Sequence, residues 1–215
     1  MKNSLNKLGG AVLDLGHYLK NKNPLQTGKW LLKAVRLAFY NQIEYVVYAR
    51  SSEEPLPDLK SDLPLRFQVA DQDSFESLRD IVPPSEFKRL KKRLMSGRRC
   101  LLTFWGDKLA HYSWSSDRID FETDNLKLKL APGDSYLDDS YTVPAYRGRG
   151  IYTLAHLQQL RSAKEKGFKR CVAIVDIKNS PPHKVLRGYS YQELDRILFR
   201  RILTKRTWRS KTGKF

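Results

Sequence analysis

Cysteine is nearly missing from this chain: Cys100 and Cys171 are the only two in 215 residues. That excludes a disulfide scaffold and predicts two buried thiols in a reducing compartment. No run of about 18 apolar residues occurs, so no membrane-spanning helix is expected. Leu5–Leu19 is interrupted by Gly9, Gly10, Asp14 and His17 and does not read as a secretory signal. Histidine is scarce, four in all, and scattered without metal-ligand spacing, so no metal site is expected. His111 and His156 read as structural or exposed. Acid is the other deficit: 23 Asp and Glu stand against 40 Lys and Arg, a net charge of +17. Such a surface attracts acidic substrates, phosphorylated cofactors, anionic lipid or nucleic acid, and repels polyamines.

What the chain does have centres on Tyr141–Tyr152. Ser135–Val143 reads as a strand and Ile151–Lys166 as a helix. Between them is a turn with Arg147, Gly148, Arg149 and Gly150. A strand that ends in a glycine-bearing turn and opens a helix points several unpaired N–H groups into one space, and the helix dipole adds positive potential there. Glycine lets backbone approach a ligand, and the arginines add charge and forked donors. The expected ligand is a phosphate or pyrophosphate.

The rest of the chain falls into order around this turn. Residues 1–60 read as a helical extension with a strand and a linker. Leu5, Leu8, Val12, Leu15 and Leu19 keep helical spacing. A second helix is predicted over Thr27–Phe39, with Trp30, Leu31 and Val35 on one side and Lys29, Lys33 and Arg36 on the other. It could dock on its own domain, on a partner or on an anionic membrane. Glu44–Arg50 reads as a strand, and Ser51–Pro64 as a proline- and acid-rich linker. Leu65–Ala70 is a strand, followed by a helix start at Asp71–Ser74. A helix over Ser85–Met95, capped by Ser85, buries Phe87, Leu90 and Leu94. Its other face carries Lys88, Arg89, Lys91, Lys92 and Arg93, either a solvated face or an anion-attracting wall. Arg99–Trp105 and Lys108–Ser115 flank Gly106-Asp107 as a hairpin. Leu126–Leu130 alternates as a strand. The helix after the phosphate turn turns Ile151, Leu154, Leu157 and Leu160 to the core and stops at Gly167. Phe168–Ile177 is the clearest buried strand and closes a parallel βαβ unit. Asn179–Leu186 is a short helix or turn, and Gln192–Leu203 a last strand. Residues 205–215 read as a frayed basic tail.

Arg147-Gly148-Arg149-Gly150, preceded by Pro144-Ala145-Tyr146, resembles the coenzyme A signature of the GNAT acyl-CoA N-acyltransferase superfamily. Tyr152 stands where the family prefers Gly or Ala; it either crowds the turn or points away. Asp71-Gln72-Asp73 is similar to the family's first strand-to-helix junction. Leu137–Thr142 enters the signature as the family's fourth strand does. Asn179 followed by Gly188-Tyr189 is similar to its Asn…Gly-Phe segment, about two residues short. The resemblance covers about residues 65–203 and implies an α/β fold, an α+β mixed sheet of the GNAT type, over residues 61–204.

The resemblance also implies chemistry. The strands corresponding to Tyr136–Val143 and Arg170–Ile177 should splay, with the acyl-pantetheine arm in the gap. Acetyl-CoA or another acyl-CoA would be the donor, and no metal is required. Tyr141, Thr142, Val143, Arg147, Gly148, Arg149, Gly150, Ile151, Tyr152 and Asn179 are the candidate cofactor contacts, with a backbone N–H near Tyr141–Val143 meeting the oxyanion. An amine attacks the thioester, so the reaction needs a base and a proton for the departing thiolate. Asp138 or Asp139 could be the base, or both could hold the strand edge by pairing with Arg or Lys. Strand alternation predicts that they face opposite ways, which favours Asp138. The family's usual acid position holds Lys184, leaving His183, Tyr189 or Tyr191 as substitutes. The leading expectation is a cytoplasmic N-acyltransferase, most simply an N-acetyltransferase, acting on a small-molecule amine and touching membrane, if at all, through residues 1–40. A second reading takes the acyl group from an acidic acyl carrier protein. A third, least favoured, is a basic nucleic-acid-binding module with Trp208 among its contacts.

Overall fold

The computed structural model describes residues 40–58, 61–119, 130–202 and 205–213. The expectations for Leu5–Leu19, for Thr27–Phe39 and, but for its last residue, for Leu126–Leu130 lie outside them. The chain divides into two compact units, Met1–Gln42 with Phe199–Thr207, and Ile43–Leu198 with Trp208–Phe215. The core and the candidate site belong to the second.

Eight strands form one mixed sheet. They are β1 (Tyr40–Ser51), β2 (Leu65–Val69), β3 (Arg99–Trp105), β4 (Lys108–Ser116), β5 (Asp134–Thr142), β6 (Arg170–Asp176), β7 (Gln192–Ile202) and β8 (Lys205–Ser210). Their order across the sheet is β2-β3-β4-β5-β6-β1-β7-β8. The helices are α1 (Gln72–Phe75), α2 (Pro84–Met95), α3 (Ile151–Glu165) and α4 (Ser180–Gly188), with a 3-10 turn at Glu76–Asp80. Gly106 and Asp107 make the two-residue hairpin between β3 and β4, where Trp105 faces Lys108.

Each element forms for a local reason. Asp71 caps α1: its carboxylate accepts from Ser74 N–H at 2.8 Å, and the Ser74 hydroxyl accepts from Asp71 N–H at 3.1 Å. This reciprocal cap satisfies two orphan donors. Helix α2 begins one residue earlier than its sequence signal. Pro84 fills the first turn, where a missing N–H costs nothing, so Ser85 is inside the helix and makes no cap. Phe87 and Leu90 are its buried residues, packed with Phe75 and Trp114. In α3 the buried face is rotated from the leucine stripe. Ala155, His156 and Gln159 are buried and Leu154 is only half-buried, because the helix packs over β3, β4 and β5 together.

Two features of the sheet differ from the sequence pattern. The strand at Glu44–Arg50 lies inside the sheet, antiparallel to β6, with Val46 opposite Val175 and Tyr48 opposite Ala173. Both of its faces are covered, so Val46 to Arg50 are all buried. Val46 and Tyr48 pack with α3 and α4, while Val47 and Ala49 pack against Ile197. Residues 205–210 are strand β8 and not a frayed tail. Trp208 packs on Tyr45, with ring centroids 6.0 Å apart. Buried Asp195 accepts hydrogen bonds from the Ser210 hydroxyl at 2.5 Å and Thr212 N–H at 3.0 Å. Cys100 and Cys171 are free and buried, as expected. Among the described residues, no helix is long and apolar enough to cross a membrane.

Candidate functional site

The site lies where β5 and β6 part. The two strands pair in parallel only from Asp134–Tyr136 to Arg170–Val172. Beyond Tyr136 they diverge, and two hollows fill the opening. The first lies over the phosphate turn, lined by Thr142, Arg147, Gly148, Gly150, Ile151 and Thr153 among others. The second lies inside the V, lined by Leu137, Asp138, Asp139, His156, Ala173 and Val175 among others. Ser140, Tyr152, Asn179 and Pro182 border both and form the neck between them.

At the turn, Gly148 and Gly150 each have φ near 76°, and a Cβ at either would meet open space. That left-handed backbone is what lets the chain swing from strand to helix with its N–H groups outward. None of the N–H groups from Gly148 to Thr153 is bonded among the described residues; the first helical bond of α3 runs from Leu154 N–H to Gly150 O. Six adjacent free donors at a helix N-terminus form an anion seat. The two arginines part company. Arg147 reaches back with Nε to Thr142 O at 3.0 Å and borders the hollow. Arg149 lies over the Trp105 ring at 5.1 Å, and Trp105 in turn stacks on Tyr146.

Strand geometry decides which N–H groups of Tyr141–Val143 are free. Val143 N–H is already spent on Ala110 O at 2.9 Å, and Tyr141 pairs across β4 with Tyr112. Along a strand the N–H groups alternate sides, so the Thr142 N–H points to the other edge, into the V. Val143 and Tyr141 are therefore corrected as oxyanion donors, although Tyr141 still borders the hollow with its side chain.

The two acidic residues also depart from expectation. Between Tyr112–Tyr141 and Trp114–Asp138 the register of β4 and β5 shifts, so that Asp139 and Ser140 together oppose Ser113. Asp139 takes φ 44° in this bulge. The bulge breaks the alternation, and both carboxylates reach the same guanidinium. Arg93 holds Asp138 through Nη2 at 2.6 Å and Asp139 through Nη1 at 2.5 Å, while its flat face covers Trp114 at 4.7 Å. Arg89 adds a second bond to Asp139 at 2.7 Å. Arg89 and Arg93, two of the five basic residues on this face of α2, are therefore committed inward, and Lys88, Lys91 and Lys92 remain exposed. Burial raises Asp138 above the usual carboxylate range, against the pull of Arg93. Its second oxygen, Oδ1, is buried and has no hydrogen-bond partner among the described residues.

Tyr189 does not reach the cleft. It is buried, its hydroxyl donates to Thr153 O at 2.8 Å, and it borders neither hollow. Burial pushes its hydroxyl up to about 12. Its role is to tie α4 to α3. The alternatives are also engaged. Tyr191 Oη meets His156 Nε2 at 3.2 Å, and His183 lies between Tyr48 Oη and Asp176 O. Asn179 stands at the neck, exposed. The Tyr152 ring turns inward and leaves the phosphate turn open, with centroids 5.9 Å from His111 and 6.0 Å from His156.

Several residues escaped the sequence reading. Arg93 gave no signal beyond a basic helix face. Gln159 donates to Trp114 O beside the bulge at 3.0 Å. Buried Arg50 clamps the end of α4 through Tyr189 O at 2.7 Å. Long-range contacts of this kind leave no spacing pattern.

By sequence, no family model and no curated protein matches the chain. Solved structures match in three dimensions. A GCN5-related N-acetyltransferase from Sphaerobacter thermophilus is 16 % identical over 80 % of this chain and 56 % of its own, with a TM-score of 0.55. An acetyltransferase of the GNAT family from Colwellia psychrerythraea is 14 % identical over 78 % of this chain and 59 % of its own, at 0.54. A conserved protein of unknown function from Staphylococcus epidermidis is 12 % identical over 84 % and 67 %, at 0.53. The chain thus spans less than two thirds of either acetyltransferase. The mixed sheet opened between β5 and β6, with the glycine turn leading into α3, is the fold of the GNAT acetyltransferases.

Proposed function

We propose that the chain transfers an acyl group, most simply acetyl, from coenzyme A to a small-molecule amine by direct attack on the thioester. The observation that carries this reading is one continuous path. It runs from the six free N–H groups of Gly148–Thr153, through the neck, to the hollow that Asp138 lines, where the buried Oδ1 of that carboxylate has no partner among the described residues. The pyrophosphate sits on the turn beside Arg147, and the pantetheine arm follows the open edge of β5. Thr142 N–H meets the thioester oxygen, which gains charge as the amine adds. Asp138 accepts the ammonium proton directly or through water. Arg93 pulls against the burial that raises Asp138 and aims the carboxylate while occupying only one of its oxygens. Asp139, held by two arginines, acts as a support.

The carrier-protein reading loses part of its footing, because Arg89 and Arg93 are turned to β5. The nucleic-acid reading loses Trp208, whose ring packs on Tyr45. Isothermal calorimetry of the protein with coenzyme A and acetyl-CoA tests the proposal. Saturable binding at micromolar concentration is expected, and its absence in folded protein would remove the reading.

A further inference from the structure

Tyr152 is the residue that the glycine-turn signature did not call for, and it lies at the neck of the cleft. It borders both hollows. Its ring is wedged between two buried histidines, His111 on β4 and His156 on α3. Its hydroxyl makes no hydrogen bond among the described residues, and the side chain is only part-buried where it borders the two hollows. A donor molecule seated on the glycine turn must pass this residue before its acyl carbon reaches Asp138. The sulfur of its thioester precedes that carbon on the same path.

Resting on the acyltransferase reading above, we infer that Tyr152 is a catalytic residue: its hydroxyl donates a hydrogen bond to the sulfur of the leaving thiolate. The tyrosine and histidine side chains suggested by sequence for this role are all buried and engaged elsewhere, and Tyr152 is the phenol at the neck, where the other hydroxyl, that of Ser140, is on a short side chain of β5. Burial pushes this hydroxyl up to about 12, so it keeps its proton at every working pH. A thiol ordinarily ionises near about 8.5. Full transfer from Tyr152 to sulfur would therefore run uphill, and hydrogen-bond donation is the role that fits.

The step balances as follows. Asp138 takes one proton from the ammonium, and that proton leaves to solvent. The freed amine forms the N–C bond. The C–S bond breaks with its electron pair going to sulfur, where Tyr152 meets the charge. The second proton, released by nitrogen as the amide forms, ends on sulfur and gives the thiol.

The titratable groups facing this hydroxyl are few. Burial holds His111 and His156 down to about 3, so both are neutral. Tyr191 keeps its proton, raised by burial. Asp138 and Asp139 lie across the second hollow, paired with Arg93.

The test needs no identified acceptor. Coenzyme A is bound to the full chain, and ionisation of its thiol is followed by thiolate absorbance, for wild type and Tyr152→Phe, which keeps the ring and its contacts. A hydrogen bond to a charged group corresponds to about one pKa unit or more. The bound thiol should therefore ionise about one unit higher in Tyr152→Phe than in wild type, with affinity for the desulfo analogue unchanged. Equal titration in the two proteins would overturn the role of Tyr152 and leave the acyltransferase reading standing. Failure of wild type to bind coenzyme A would overturn both.

Discussion

Arg93 binds Asp138 through a single carboxylate oxygen, at 2.6 Å, and leaves the other, Oδ1, buried without a partner among the described residues, in a side chain that lines the hollow between β5 and β6. The same guanidinium spans to Asp139 at 2.5 Å. One helix side chain thus holds both acids, from a position 45 residues earlier in the sequence than Asp138.

Arg93→Met should therefore be costly. It leaves two neighbouring carboxylates with Arg89 on Asp139 and only the charge of Arg98 acting on Asp138, and the loss of a largely buried partner costs about 3 kcal/mol. Urea unfolding at pH 7 measures this. Arg93→Met combined with Asp138→Asn should recover part of the loss, because a neutral amide replaces one of the stranded charges. A double variant no more stable than Arg93→Met would show that Arg93 acts through packing on Trp114 alone.

Asp138→Asn should lower kcat roughly 100-fold if the carboxylate accepts the ammonium proton. Burial raises the pKa of this group, so wild-type activity should fall as pH drops through that raised value. The deficit of the variant should shrink at high pH, where free amine forms without help. A constant deficit at every pH would assign Asp138 to structure. Asp139→Asn, at the group held by two arginines, should lose far less.

Gly150→Val should weaken coenzyme A binding tenfold or more, about 1.4 kcal/mol. A side chain there enters the open seat, and φ near 76° adds backbone strain of about 1–2 kcal/mol. The two effects separate in the measurement: calorimetry well below the melting temperature reads the seat, and thermal unfolding reads the strain. Unchanged affinity in folded Gly150→Val would contradict the placement of the pyrophosphate.

Acid should destabilise the protein before its carboxylates titrate. His111 and His156 have folded pKa values near 3, depressed by burial, against about 6.5 unfolded. Between those values the unfolded chain binds more protons, so stability present above about 6.5 is lost as pH falls. Asp138, raised on folding, opposes this only near its own titration. Stability measured from pH 7 to 5 should decline, and His156→Gln should have about half the slope. A flat wild-type profile would mean that the imidazoles are not neutral in the fold.

Asp195→Ala should loosen the last strand. It strands the Ser210 hydroxyl and the Thr212 N–H, and each unsatisfied buried group costs about 1–3 kcal/mol. Amide exchange over β8 should accelerate while binding of coenzyme A stays intact. Full protection in the variant would show that Trp208 and Tyr45 hold the strand unaided.

Much of the fold was legible from sequence because its signals are local. The hairpin at Gly106-Asp107, the buried strand over Arg170–Asp176, the cap at Asp71 and the glycine turn before α3 each depend on residues within a few positions. Alternation, turn chemistry and unpaired N–H groups act at that range. The site was legible to the same extent. The glycine turn before α3, a backbone feature, stands where its motif placed it. The side chains around the V did not follow from spacing. One extra residue in β5 turns Asp139 onto the face of Asp138, and nothing in Leu137–Thr142 marks the bulge.

The sequence by itself determined most element types, the βαβ unit, two buried thiols and the glycine turn before α3. Each of these is written in the period of the side chains or in glycine's freedom at positive φ. Only the tertiary structure decided that β1 lies beside β6, that residues 205–210 form a strand, and that Arg93 gathers both acids. It also decided that Tyr152 stands at the neck of the cleft while Tyr189 does not. These outcomes depend on which surfaces meet in three dimensions. There the free energy comes from burying shared area and pairing desolvated charge, and neither term has a period along the chain.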